Sequence, residues 1–419
     1  MNKKDILVIG GGGREHALVW KLKQSKSAGK LYCIPGNAGI AEIAECRPEL
    51  KATDFDGILN FLREHKNVYM TVVAPDDPLA LGLVNTLNEN GFRAFGPTAE
   101  AAILEASKVF SKNLMKKYGI PTAAFEVFSA QNAALEYLKT AKFPSVVKAD
   151  GLALGKGVLI CPTVSEAEEA VKNMMTEGKF GEAGKNIVIE EFIKGYEVSI
   201  LAFCDGKTIV PMVSSQDHKR SHDGDKGLNT GGMGAFAPSV KFNKKLLPGI
   251  MKDIIMPTME AMNQEKRPFK GVLYFGLMID GGDVRVLEYN ARFGDPETQS
   301  VLPLLKGDLL DIFDKIIDGK LADAKIAWED KACLCVMLTS GGYPAKYETG
   351  KPVAAGDLDK DVILFHSGTR RGADGTLLTA GGRVLGVTAV ADDLDAARKK
   401  VYANIKKITF DKMHYRTDI

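Results

Sequence analysis

The first ninety-five residues alternate short apolar runs with helical patterns, and this alternation limits the chain to very few architectures. Strands are predicted at 6–9, 31–34 and 68–73, with helices at 16–24, 58–65 and 83–90. Strand–helix–strand units of this length close as parallel pairs with right-handed crossovers, so the segment is expected to be a doubly wound parallel sheet of an α/β domain. Ligand loops of such a sheet lie at the carboxyl ends of its strands, which singles out 10–16, 35–39 and 74–78.

The first of these loops reads Gly10-Gly-Gly-Gly-Arg-Glu-His16. A dinucleotide site needs a third glycine where helix meets strand, and an acidic residue at the end of the second strand. Here the third position is Glu15 or His16, depending on which glycines start the count, and the second strand runs into Pro35-Gly-Asn-Ala-Gly39. NAD and FAD are therefore not expected. A phosphate ester fits better: glycine leaves the N–H groups of a helix N-terminus open to an anion, and Arg14 adds a charged fork.

At 419 residues, two or three domains are expected. Lys+Arg number 55 against Asp+Glu 53, a net charge of +2 that gives no polyanion-binding surface, so no nucleic-acid partner is expected. Six cysteines, mostly in apolar runs and without a Cys-x-x-Cys pair, point to a reduced, cytoplasmic chain. No apolar run approaches membrane-spanning length, so no membrane partner is expected either. The turn at Gly96-Pro-Thr98 and the fresh run of strands after Trp328 divide the chain into 1–100, 101–325 and a small β-rich domain at 326–419. Within the middle piece, an α+β flap subdomain is expected at about 122–192.

That middle piece carries the chemistry. Lys148-Ala-Asp-Gly-Leu-Ala-Leu-Gly-Lys-Gly157 imitates a Walker A loop, but Gly151 and Gly155 are one residue too close and Lys156 is followed by glycine. Strand, glycine loop and strand make instead a flap that can close over triphosphate oxygens, with Lys148 neutralising charge. Glu190, Glu191 and Glu197 offer carboxylates to an adenine amino group and ribose hydroxyls. In 286–292, period two puts Glu288, Asn290 and Arg292 on one strand face and Leu287 and Tyr289 on the other. Two neighbouring oxygen ligands suit Mg²⁺ bound with substrate phosphates, and Arg292 suits a migrating phosphoryl group. The polar, glycine-rich stretch 214–234, expected to lack strands and helices, reads as a functional loop.

With these pieces in place, the sequence closely resembles the phosphoribosylamine-glycine ligase (glycinamide ribonucleotide synthetase) family, ATP-grasp enzymes of purine synthesis. The resemblance spans nearly the whole chain. It rests on Gly12-Gly-Arg-Glu-His-Ala17, Pro35-Gly-Asn-Ala-Gly39, Phe95-Gly-Pro-Thr98, Lys148-Ala-Asp-Gly-Leu-Ala153, Gly155-Lys-Gly-Val158, Ser215-Gln-Asp-His-Lys-Arg220, Asn229-Thr-Gly-Gly-Met-Gly-Ala235 and Arg292-Phe-Gly-Asp-Pro-Glu-Thr-Gln299. It implies an N-terminal Rossmann-like (pre-ATP-grasp) domain, a central ATP-grasp domain and a C-terminal domain. The reaction implied joins glycine to 5-phosphoribosylamine, converting ATP to ADP and phosphate through glycyl phosphate.

Residue by residue, the resemblance implies ATP contacts for Lys108, Lys148, Gly155, Lys156, Glu190, Glu191 and Glu197, and Mg²⁺ or Mn²⁺ ligation by Glu288 and Asn290. Catalytic roles fall to Arg292, Lys148 and Asp217, with Asp217 the candidate partner of the glycine ammonium. The substrates would meet Gly12, Gly13, Arg14, Glu15, His16, Asn37, Asp76, Asp217, Lys219, Arg292 and Asp295. Where many members read Gly-Pro-Glu-Ala-Pro-Leu, this chain has Ala74-Pro-Asp-Asp-Pro-Leu79, so Asp76 carries the charge on a shorter arm. The competing expectation is another ATP-grasp carboxylate–amine ligase or a carboxylase. A monomer or weak homo-oligomer is expected.

Overall fold

The computed structural model describes residues 3–152, 157–175 and 184–419. Gly155 and Lys156 lie outside the described residues. Strands β1 (Lys4–Gly10), β2 (Ala28–Pro35), β3 (Glu45–Cys46), β4 (Val68–Val73) and β5 (Ala94–Phe95) form the expected parallel sheet, in the order β3-β2-β1-β4-β5. The strand order reverses beside β1, so the loops after β1 and β4 open a crevice between them. Helix α1 (Gly13–Leu22) starts directly from the glycine run. Helix α2 (Phe55–Glu64) is fixed at its start by Asp54, whose carboxylate accepts from Gly57 N.

Two antiparallel sheets make the middle of the molecule. The flap sheet orders Phe125–Phe128, Ile187–Glu191, Ser145–Ala149 and Val158–Cys161, covered by helices Gln131–Leu138 and Val164–Met175. Its apolar core, with Val147, Val171 and Ile189, is closed on itself. The facing sheet orders Ile209–Pro211, Tyr196–Asp205, Lys270–Asp280 and Asp283–Asn290. This second sheet shares its core with the N-terminal one. Ile6 and Val8 belong to the same cluster as Leu201, Phe203 and Phe313, and Phe95 stacks on Phe313 with ring centroids 3.7 Å apart. Burying each such side chain contributes about 1.5–3 kcal/mol, so these two sheets are held by one core while the flap has its own.

The stretch 214–234 departs from the expectation of a loop without secondary structure. Arg220–His222 and Lys226–Asn229 form a hairpin, and Gln216–Asp217 pairs with Gly234–Ala237. These last two strands join Ala332–Thr339, Arg383–Ala391 and Val362–His366 in a sheet that mixes central and C-terminal segments. Local composition could not show this, because the pairing partner lies a hundred residues away. A Cβ on Gly234 would press on the carbonyl oxygen of Cys335, so glycine permits the approach of the two strands. Helix Leu394–Ile405 covers this sheet. All six cysteines are unpaired. Among the described residues, no helix is long and apolar enough to cross a membrane.

Candidate active site

The N-terminal loops, the flap sheet, its facing sheet and the C-terminal segment converge on a cavity of about 730 Å³. Arg14, Asp76, Lys108, Lys148, Glu190, Asp217, Lys219, Glu288, Asn290, Arg292 and Asp295 all line it. Residues predicted from sequence positions nearly three hundred apart are thereby brought together.

Strand Asp283–Asn290 aims the central acid by a bulge. Glu288 pairs with Gly276 and Val286 with Leu277, which leaves Leu287 as an extra residue. Strict alternation would have put Glu288 on the side of Val286, a fully buried core residue. The bulge resets the phase: Val286 and the Tyr289 side chain stay in the core, Tyr289 bordering the cavity from there, while Glu288 and Asn290 face the cavity. Leu287 lines the cavity as well, contrary to the alternation expected from the sequence, because the bulge takes it out of the pleat. Its carbonyl accepts from Lys148 Nζ at 3.1 Å.

Four cations surround Glu288. Burial pushes its carboxyl upward, but Lys219, Lys148, Lys108 and Arg292 outweigh burial and hold it at about 2. It is ionised at neutral pH. Asn290 Oδ1 accepts from Arg292 Nη2 at 3.1 Å. Arg292 Nη2 also lies 2.7 Å from Glu105 Oε1, while its Nε is buried without a hydrogen-bond partner.

Lys148 and Lys112 share one carboxylate, Glu190, at 2.9 and 3.0 Å. Burial and then the charge of Lys148 bring Lys112 down to about 8, against the pull of Glu190. Lys108 opens helix Lys108–Tyr118 and donates to Gly151 O at 2.8 Å. Ser107 caps that helix by accepting from Phe110 N and donates to Asp150 Oδ1, so the helix start and the flap edge are tied together. Burial lowers the Lys108 ammonium from its usual range. Glu191 is directed elsewhere: it accepts from Ala124 N and pairs with Arg285 at 2.9 Å, away from the cavity wall. Glu197 pairs with Lys219 beneath the cavity and does not line it.

The glycine loop contributes less openly than the sequence suggested. Glu15 accepts from Gly12 N and from Arg14 Nε, both at 2.6 Å, so a carboxylate already sits at the start of α1. His16 Nδ1 accepts from His366 N at 2.8 Å. Asn37 donates to Gly11 O and His366 O and accepts from Gly39 N and Ile40 N, which fills every hydrogen-bonding position of its amide. Gly12, Gly13, Glu15, His16 and Asn37 thus shape the loop without lining the cavity, whereas Arg14 and Asp76 do line it. Burial raises Asp76, but Arg292 and Arg14 outweigh it and bring the carboxyl below its usual value.

On the opposite wall, Asp217 behaves in the reverse sense to Glu288. Burial, followed by the charge of Glu297, pushes its carboxyl well above the usual range, and its Oδ1 is buried without a partner. Glu297, also raised by burial, accepts from Tyr274 Oη at 3.0 Å. Asp295 pairs with Arg383 at 3.0 Å and accepts from Gln299 Nε2 at 2.7 Å. One cavity therefore holds an acid kept ionised by cations and an acid short of countercharge.

Glu105, Lys112, Tyr274, Glu297 and Arg383 line the cavity but were not singled out from the sequence. Glu297 stands inside a quoted motif and was within reach. Glu105 and Lys112 lie on helical stretches, where charged residues read as solvated. Arg383 follows two glycines in the C-terminal segment with no local signal.

Three family models match in series: Phosphoribosylglycinamide synthetase N domain over 4–105, ATP-grasp (A) domain over 106–298 and C domain over 333–419. A phosphoribosylamine–glycine ligase of Caldanaerobacter subterraneus subsp. tengcongensis is 44% identical over 414 residues, covering 99% of both chains. One of Xanthomonas axonopodis pv. citri is 46% identical over 417 residues, 99% of this chain and 96% of the other. Among solved structures, phosphoribosylamine–glycine ligase of Thermotoga maritima superposes with TM-score 0.87 at 32% identity, covering 99% of this chain and 100% of that one. A biotin carboxylase of Campylobacter jejuni superposes with TM-score 0.76 at 13% identity over 98% and 92% of the two chains, a likeness of fold alone.

Proposed function

The chain belongs to the phosphoribosylglycinamide synthetase family, and from that premise we propose that it joins glycine to 5-phosphoribosylamine in purine biosynthesis, using ATP. The observation that carries the assignment of roles is the convergence of Lys148, Glu288, Asn290 and Arg292 with Arg14, Asp76 and Asp217 on one cavity. The division into 1–100, 101–325 and 326–419 and a cytoplasmic location belong to the same reading.

A carboxylate resists attack by an amine, so the γ-phosphoryl group is first transferred to the glycine carboxylate. The sugar amine then attacks the carbonyl of glycyl phosphate, the C–N bond forms, and phosphate leaves. Lys108 and Lys148 neutralise the triphosphate, and Arg292 faces the transferring group. Glu288 and Asn290 are the candidate metal ligands. Among the described residues no cluster of three or more His, Cys, Asp or Glu forms a full cage, which suits a cation that takes its other ligands from phosphates and water. When bound, Mg²⁺ or Mn²⁺ supplies charge neutralisation and alignment of the phosphate oxygens. Asp217 receives the glycine ammonium, whose charge supplies the countercharge this buried acid lacks. Arg14 and Asp76 meet the phosphoribosylamine, with Asp295 and Lys219 bordering the same space.

The test is substrate-dependent release of ADP from ATP and Mg²⁺ by the purified protein. The reading requires dependence on both glycine and phosphoribosylamine. Release supported equally by bicarbonate, and indifferent to glycine, would transfer the chain to the ATP-grasp carboxylases.

A further inference from the structure

Glu105 lies on helix Ala99–Ala106, outside every motif quoted above, yet its carboxylate reaches the cavity wall. Oε2 accepts from Ala291 N at 2.7 Å, and Oε1 lies 2.7 Å from Arg292 Nη2. One carboxylate therefore holds the backbone just before Arg292 and the guanidinium itself. The remaining contacts of Arg292 are weaker: Nη2 to Asn290 Oδ1 at 3.1 Å and Nη1 to Phe293 O at 3.4 Å. Nε has no partner.

Arg292 has competing attractions. Asp76 and Glu297 also act on its charge, from the sides where the N-terminal loop and Asp217 stand, but Glu105 is the acid that contacts it. Without that contact the long guanidinium arm would be free to turn toward Asp76 or Glu297, and the Asn290 oxygen would lose its orienting donor. We propose that Glu105 is a positioning residue for the ligation reaction, holding the Arg292 guanidinium in the orientation in which it lines the cavity and faces the transferring phosphoryl group. The proposal rests on the role given to Arg292 above.

The experiment compares E105Q, E105D, R292K and the double variant E105Q/R292K for glycine-dependent ADP release, with KM for ATP and a thermal melt for each. Gln keeps an acceptor for Ala291 N and removes only the charge. E105Q is expected to lower kcat by about 10-fold or more, as a misaimed catalytic group does, with KM for ATP within about 2-fold. E105D, which keeps the charge on a shorter arm, should recover part of the loss, and the double variant should be no slower than R292K. If E105Q does not melt cooperatively, E105D and its double variant with R292K decide instead. Unchanged kcat in E105Q beside an impaired R292K overturns the role of Glu105 and leaves that of Arg292 standing. Fully additive losses overturn it as well. Normal turnover in R292K overturns both.

Discussion

The backbone N–H of His366 donates to Nδ1 of His16 across 2.8 Å, joining an edge strand of the C-terminal sheet to the first helix of the chain. The bond requires Nδ1 of His16 to be unprotonated. Burial, then the neighbouring His366, bring His16 to about 3, and burial brings His366 to about 4. In the unfolded chain both would titrate near the ordinary histidine value of 6.5. The folded state therefore refuses protons that the unfolded chain accepts. This contribution to stability is fully present well above pH 6.5 and is lost as pH falls below 6.5, toward 4 for His366 and toward 3 for His16, by about 1.4 kcal/mol per pH unit for each group. Denaturant midpoints should drop steeply between pH 7 and 5, and His16→Asn, which keeps an acceptor that cannot titrate, should flatten the slope. An identical slope in the variant would show that this contact carries none of the acid sensitivity.

Asn37 has no hydrogen-bonding capacity left for a ligand. Asn37→Ala is expected to cost on the order of 3 kcal/mol of stability, since it strands buried carbonyl and N–H groups. In the folded fraction, KM for the sugar amine should stay within about 2-fold. Chemical denaturation and steady-state kinetics separate the two, and a KM effect without destabilisation would place Asn37 on the substrate.

Glu288→Ala removes the acid that four cations face. Turnover is expected to fall by about 100-fold or more, as when a metal ligand is lost from a phosphoryl-transfer site. The triphosphate should still be held by Lys108 and Lys148. A Mg²⁺ titration of rate is the check: a variant with the wild-type response would refute metal ligation by this residue.

Glu190 and Glu191 are neighbours in sequence with opposite environments. Glu191→Gln breaks a partly exposed pair with Arg285, so stability should change by less than about 0.5 kcal/mol and KM for ATP by less than about 2-fold. Glu190→Gln leaves Lys112 and Lys148 buried without their shared carboxylate and should cost about 3 kcal/mol in the absence of nucleotide. ATP should then raise the melting temperature of Glu190→Gln more than that of the wild type, because the triphosphate returns the missing negative charge. Equal shifts would separate these lysines from the nucleotide.

The parallel sheet was legible because its signal is local: runs of four to six apolar residues, a glycine turn and a helical period recur within thirty residues. The polar face of Glu288, Asn290 and Arg292 was legible too, although period two led to the right face for an incomplete reason. The bulge at Leu287 sets the phase, and it depends on how Gly276 and Leu277 pair across the sheet. Register is a property of two strands, so neither sequence shows it alone. Glu105 and Lys112 were missed for a related cause: a charged residue on a helix looks solvated until tertiary packing buries it beside a countercharge. Glu15, His16 and Asn37 present the opposite case. Their motif points to a ligand, while their hydrogen bonds are taken by the loop and by residues more than three hundred positions away.

The sheet that unites Gln216–Asp217 and Gly234–Ala237 with strands beyond residue 330 acts as a stitch. It threads the segment carrying Asp217 and Lys219 through the C-terminal layer before the chain returns to the nucleotide side. A fragment ending near residue 325 would contain every candidate nucleotide contact, yet Gly234–Ala237 would be an open edge, a template for pairing with another copy of itself. The boundary between the second and third segments is thus a seam in sequence only. Shuffling it between relatives would have to carry the two short strands along with the C-terminal part.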